Sequence, residues 1–216
     1  MTGMSLGRFF ASEIARPLGL DFWIGLPEAE ERRVAPVVDG PPPTDPATLR
    51  LMASLSEPGS LFWRMGTMNG AIPFGESSVA GVYNLRRVHA AEIPAANGIT
   101  TARSLAKLYA ATLAEVDGIR LFGPETLRRA LEVTAEGPDA LLGVDIRFGL
   151  GFGRDGGDVR LLGPGSYGHG GAGGSFGFAD PPSGIAFGYV MKQMGSSLVI
   201  DPRAERLIDA VRESIR

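Results

Sequence analysis

The stretch "GSYGHGGAGGSFGFADPPSG", residues 165–184, carries three overlapping patterns that point to different proteins. Gly168, Gly170 and Gly173 satisfy GxGxxG, the dinucleotide-binding spacing, while Gly173, Ser175 and Gly177 satisfy GxSxG, the nucleophile elbow of one class of hydrolases. His169-Gly170-Gly171 forms a third, plainer pattern, a small polar cluster suited to a sheet edge. The first two patterns both need a helix directly after them, one to hold a phosphate on its N-terminus and the other to succeed the serine turn. The chain instead continues through Ser175-Phe176-Gly177-Phe178-Ala179 to Asp180-Pro181-Pro182-Ser183-Gly184, an alternating run closed by a strong turn. The segment therefore predicts a strand and a hairpin, with Ser175 inside the strand. An elbow enzyme of that fold also places its histidine after the serine, and the sequence has no histidine beyond residue 169.

Outward from that hairpin the chain reads as α+β, with helices first and then an antiparallel sheet closed by a terminal helix. "GIAFGYVMKQM" supplies the partner strand, "RFGLGFG" an earlier one, and Pro202 to about Ile215 a helix with Leu207, Ile208 and Val211 on its sheet side. Upstream, Leu105, Leu108, Tyr109, Thr112 and Leu113 recur at helical spacing, with Thr100 or Thr101 as cap and Asp117-Gly118 as stop. A further helix runs from Pro124 to about Val133. At the N-terminus, Thr2 or Ser5 caps a helix carrying Leu6, Phe9, Phe10 and Ile14, which ends at Arg16-Pro17; "LDFWIGL" then alternates like a short strand. Residues 28–98 show little periodicity and predict irregular structure with short helices near Leu49–Leu55 and Leu61–Met65, an excursion of the kind that covers a cleft. The expected division is a mainly helical and irregular region, 1–142, and then the hairpin sheet and terminal helix, 143–216.

Composition narrows the chemistry. The 216 residues carry a formal charge of −3, too mixed for a nucleic-acid footprint or a basic membrane-binding surface. No cysteine is present, which excludes a disulfide framework, a thiol nucleophile and a cysteine metal site; with two histidines, no metal and no cofactor are expected. Arg8, Glu13 and Arg16 interrupt the N-terminal apolar residues, so no signal peptide is read there, and the chain is expected to be soluble and cytoplasmic, with no membrane partner.

Two further residues compete for a role. Ser104-Leu105-Ala106-Lys107 matches SxxK, a serine with a lysine base one helical turn away, but the surrounding stripe reads as an ordinary amphipathic helix with a solvated serine and lysine. His89, after Arg86-Arg87, reads as exposed. His169 is flanked by glycines that let another group approach closely. That admits two readings: a crowded sheet crossing with a hydrogen-bonded histidine, or a substrate-facing edge offering backbone N–H groups to an oxyanion.

"PLGLDFWIGLPEAEERRVAPV", "AEIPAANGITTARSLAKLYAATL" and the block from "FGLGFG" through "GHGGAGGSFGFADPPSGIAFGYVMKQM" together resemble the C-terminal half of the serine β-lactamase-related hydrolases. That group includes class C β-lactamases, DD-peptidases and family VIII carboxylesterases. The resemblance covers nearly the whole chain and implies a β-lactamase/transpeptidase-like fold with its N-terminal part missing. The family's third motif, Lys-Thr-Gly in β-lactamases, stands here as His169-Gly170-Gly171, which is closer to the esterase branch. The resemblance further implies acyl-enzyme hydrolysis of a small ester or lactam. It makes His169, Gly170, Gly171 and Ala172 one wall of the site, with the Ala172 N–H as half of an oxyanion hole and His169 orienting substrate or a polar neighbour. The family's SxxK and tyrosine motifs lie upstream of the matched blocks, so no catalytic nucleophile is identified in this chain, which is expected to be inactive alone and to self-associate through the face left uncovered. The rival expectation is a non-catalytic ligand-binding or interaction module derived from that fold.

Overall fold

A computed structural model describes residues 2–44, 46–55, 57–72, 77–197 and 200–215. Helix α1 (Leu6–Phe9) is capped by Ser5, whose Oγ accepts from the Arg8 N–H, and it continues as a π-helical segment, Phe10–Ala15. Strand β1 (Phe22–Trp23) and a 3-10 segment, Glu28–Arg33, lead into α2 (Pro46–Leu55), α3 (Leu61–Gly66), α4 (Val79–Tyr83) and α5 (Arg86–Ala90). Strand β2 (Ile99–Thr100) pairs antiparallel with β1 and runs into α6 (Ala102–Leu113), capped by Thr101; α7 (Pro124–Ala130) comes next. The remainder is β3 (Ala135–Pro138), β4 (Asp145–Phe148), β5 (Gly153–Arg154), β6 (Tyr167–Gly170), β7 (Phe176–Asp180), β8 (Ile185–Tyr189) and α8 (Pro202–Ser214). Strands β3 to β8 form one antiparallel meander in chain order.

The β7–β8 hairpin is the centre of the molecule because its two faces differ in side-chain size. Residues opposite one another across a ladder share a face. Phe176 pairs with Tyr189 and Phe178 with Phe187 on one face, while Gly177 pairs with Gly188 and Ala179 with Ala186 on the other. The aromatic face builds a core with Leu161, Ile200, Ala204 and Ile208, so α8 lies against it. The small face admits α6: a Cβ on Gly188 would strike the Ala102 carbonyl oxygen and stand 2.7 Å from the Ala106 nitrogen, and one on Gly177 would strike the Tyr109 ring. Helix, sheet and helix thus stack in three layers. The Asp180 carboxylate closes the hairpin, accepting from Ser166 Oγ at 2.6 Å, Ser183 Oγ at 2.5 Å and the Ser183 N–H at 3.0 Å.

Several expectations shift. The sheet begins at β3, ahead of residue 143, where Ala135-Glu136-Gly137-Pro138 joins as an edge strand and Glu136 Oε1 lies 2.9 Å from Arg147 Nε across the ladder. Helix α6 ends at Leu113, and Asp117-Gly118, both at positive φ, turn a tight Val116–Ile119 bridge instead. Leu207 on α8 is 44% exposed, leaving Ile208 to fill the core. Short helices α4 and α5 occupy part of the stretch read as irregular.

Helix α8 starts on Asp201, whose carboxylate accepts from the Arg203 N–H at 2.8 Å and from its guanidinium at 2.7 and 2.8 Å. That guanidinium holds the Asp201 carboxyl below its ordinary value of 3.8. A carboxyl whose folded-state pKa is lowered adds stability that is full above the ordinary value and lost as pH falls through the folded one. Asp201→Asn is therefore expected to melt below wild type at pH 7. The gap should narrow as melting is measured at pH values falling below 3.8, and a gap that stays constant with pH would show that ionised Asp201 contributes nothing.

Candidate functional site

Strand β6 ends at Gly170, and residues 171–175 turn back into β7. Ser175 lies just ahead of β7 rather than inside it, because the turn needs its carbonyl to accept from the Gly171 N–H at 2.8 Å. The Gly174 N–H donates to the Gly171 carbonyl at 3.0 Å, and the Gly195 N–H donates to the Gly173 carbonyl at 2.7 Å. Gly173 and Gly174 have φ of +88° and +113°, values that exclude most side chains. The turn packs closely from outside as well: a Cβ on Gly173 would sit 2.9 Å from the Met191 and Met194 methyl carbons, and one on Gly174 2.7 Å from the Asp201 side chain.

Ala172 stands at the apex, exposed. Among the described residues, none accepts a hydrogen bond from its N–H, whereas the amides of Gly171 and Gly174 around it are held within the turn.

His169 is exposed and lies on the α6 face of the sheet, in line with Tyr167. Its ring meets Phe148 edge-on, with centroids 5.7 Å apart, and Nδ1 lies 2.5 Å from the Gly170 carbonyl oxygen. A carbonyl only accepts, so Nδ1 is the donor in this contact, and the neutral tautomer with that proton has Nε2 as its acceptor. Beneath the strand, burial, reinforced by neighbouring Tyr167, raises the pKa of the Tyr109 hydroxyl against a smaller lowering influence of the His169 backbone and keeps it protonated. Tyr167 Oη and Thr112 Oγ1 share a hydrogen bond of 2.8 Å, tying the other end of β6 to α6.

The remaining candidates do not join this group. Ser104 is buried, against the solvated position expected: its Oγ accepts from the Asp21 N–H at 2.9 Å and from Thr101 Oγ1 at 3.1 Å, so it ties the start of α6 to the residue before β1. Lys107 Nζ pairs with Asp117 Oδ2 at 2.6 Å, away from Ser104. His89 is 7% exposed, not a surface histidine: Nδ1 lies 2.8 Å from Glu31 Oε1, joining α5 to the 3-10 segment. An open depression of about 780 Å³ is lined by Glu28, Ala29, Glu31, Arg32 and Arg86, and a smaller one of about 190 Å³ lies between α1 and β1; neither includes residues 169–172. Among the described residues there is no grouping of His, Asp and Glu able to hold a metal ion, and no helix long and apolar enough to cross a membrane.

Comparison with known proteins gives the family and the fold. Residues 1–210 match the family model described as Beta-lactamase. The chain is 34% identical over 212 residues to Esterase/beta-lactamase LipL of Mycobacterium tuberculosis, covering 94% of this chain and 47% of that protein. Among solved structures, EstA from Arthrobacter nitroguajacolicus is 30% identical with a TM-score of 0.81, covering 99% of this chain and 55% of that one. A family VIII carboxylesterase is 31% identical with a TM-score of 0.78, covering 99% and 53%. The chain thus spans about half the length of the relatives it matches. With the sheet, the flanking helices and the strand bearing His169-Gly170-Gly171 all in place, and the match running along almost its whole length, the chain belongs to the Beta-lactamase family.

Proposed function

We propose that residues 169–172 form the oxyanion-side wall of an acyl-transfer site for small esters or lactams. A serine attacks the substrate carbonyl, the carbon becomes tetrahedral, and the former carbonyl oxygen gains negative charge. The Ala172 N–H faces that oxygen, and His169 Nε2 accepts a hydrogen bond from the substrate or from a neighbouring polar group. Collapse expels the alcohol or opens the lactam, leaving an acyl-enzyme for water to cleave. The observation that carries this reading is the N–H of the exposed Ala172, without an acceptor among the described residues, on a turn whose Gly171 and Gly174 amides are bonded internally. A donor fixed before the reaction stabilises the developing charge without reorganising.

The SxxK serine of this chain does not serve as nucleophile, because the Ser104 hydroxyl is buried and engaged by Asp21 and Thr101. The 216-residue chain alone is therefore expected to show no turnover of p-nitrophenyl butyrate or of a chromogenic cephalosporin. Robust turnover abolished by Ser104→Ala would overturn this assignment. In a polypeptide that joins this chain to an SxxK and tyrosine segment, Ala172→Pro, which removes the N–H, is expected to lower kcat far more than it alters KM. An unchanged kcat would remove Ala172 from its role.

A further inference from the structure

The Ala172 turn is held by a residue pair from the far end of the chain. Arg203, in the first turn of α8, forks onto Asp201 with Nε to Oδ1 at 2.7 Å and Nη2 to Oδ2 at 2.8 Å. The same guanidinium donates through Nη1 to the Gln193 carbonyl at 2.9 Å and through Nη2 to the Gly173 carbonyl at 3.3 Å. One planar group thus joins the helix start, the segment after β8 and the turn that carries Ala172. Asp201 is 4% exposed and packs against Gly174 and Gly195, both of which lack the Cβ that would collide with it. The Gln193 segment is itself anchored, since the Val38 N–H donates to the Lys192 carbonyl and the Met194 N–H to the Val38 carbonyl, both at 2.9 Å.

We propose that Asp201 and Arg203 are positioning residues that fix the Gly171–Gly174 turn and so aim the Ala172 N–H. The proposal rests on the reading of Ala172 as an oxyanion donor. Helix capping alone needs only the Asp201 carboxylate and the backbone N–H of Arg203. The guanidinium adds contacts to two carbonyls outside the helix, and those contacts require a planar fork that a lysine cannot reproduce. The Gly173 carbonyl receives both Arg203 and the Gly195 N–H, so the Gly173–Gly174 peptide, two peptide units beyond the one that carries the Ala172 N–H, is held from two sides.

The test uses the ¹⁵N-labelled 216-residue chain with Arg203→Lys and Arg203→Ala, and reads two signals. Amide exchange at Gly174 and Gly195 reports whether the turn is braced. The shift of the Ala172 amide during titration with benzylphosphonate, a tetrahedral oxyanion that needs no nucleophile, reports whether its N–H receives negative charge. Both variants are expected to speed exchange at Gly174 and Gly195 by roughly tenfold or more, as loss of a charge-assisted hydrogen bond implies. Amides of the β3–β4 ladder should stay unchanged, and the Ala172 response to phosphonate should weaken by about as much. Arg203→Lys keeps a charge beside Asp201, so its failure to rescue separates the fork from simple helix stabilisation. Unaltered exchange in both variants, or full rescue by lysine, overturns the positioning role. Faster exchange with a wild-type Ala172 amide that ignores phosphonate overturns instead the donor reading on which the role depends.

Discussion

Gly188→Val should destabilise the protein by about 3 kcal/mol, read as a lower midpoint in denaturant unfolding. Gly188 needs no unusual backbone angle, so the cost is steric. Its hydrogen faces the backbone of α6, where a Cβ would collide with the Ala102 carbonyl oxygen, stand 2.7 Å from the Ala106 nitrogen and press on the Leu105 Cβ at 3.2 Å. Backbone cannot swing aside as the tip of a long side chain can, so α6 must lift off the sheet. Because α6 also carries Tyr109, whose ring lies against Gly177, the residue paired with His169 across the ladder, the displacement should reach the proposed site wall. Gly163→Ala is the control: a Cβ there meets nothing within 4 Å, and its effect should stay within about 0.5 kcal/mol. Equal midpoints for Gly188→Val and wild type would show that the helix and strand are not in backbone contact.

Phe178→Ala should cost about 3–5 kcal/mol, which is a large share of the roughly 5–15 kcal/mol typical of a folded domain. Phe178 is fully buried on the opposite face of the sheet. Its ring stacks on Phe187 with centroids 5.1 Å apart and an interplanar angle of 25°, and lies tilted against Phe176 at 6.3 Å. Truncation leaves a void between the sheet and α8 that neither partner can fill without leaving the other. Phe187→Ala, at a position only partly buried, should cost less. Equal losses from the two would place the aromatic core differently from where it is found.

Both positions could be read from the sequence, because they belong to patterns local in the chain. Alternating aromatic and small residues in 176–180 and 185–189, joined by Asp180-Pro181-Pro182-Ser183-Gly184, specify a hairpin whatever surrounds it. The spacing of Leu105, Leu108, Tyr109 and Thr112 likewise specifies α6, with Thr100 or Thr101 as its cap, and the structure places the cap at Thr101. Strand β3 gives no such signal, because Ala135-Glu136-Gly137-Pro138 has neither alternation nor β-branched residues; it exists only because β4 offers it a ladder. The burial of His89 and Ser104 is equally hidden. Their partners, Glu31 and Asp21, lie 58 and 83 residues away, and nothing near either residue signals them. For the site, the proposed wall at 169–172 is legible as a motif through the family resemblance, and the glycines signal a close approach. That Asp201 and Arg203 are what approaches Gly174 and Gly173 is not, since from local sequence those two residues look like no more than the start of a helix.

The unequal faces of the β7–β8 hairpin also guard its assembly. A slip of one residue in β8 would turn Phe187 and Tyr189 toward α6, where the strand presents only a glycine and an alanine, and would leave Ala186 and Gly188 facing the aromatic layer. In a sheet with similar side chains on both sides such an error costs little and can persist as a trapped pairing. Here it would exclude one helix and hollow out the packing of the other at the same time. Misaligned chains are then rejected as the layers close.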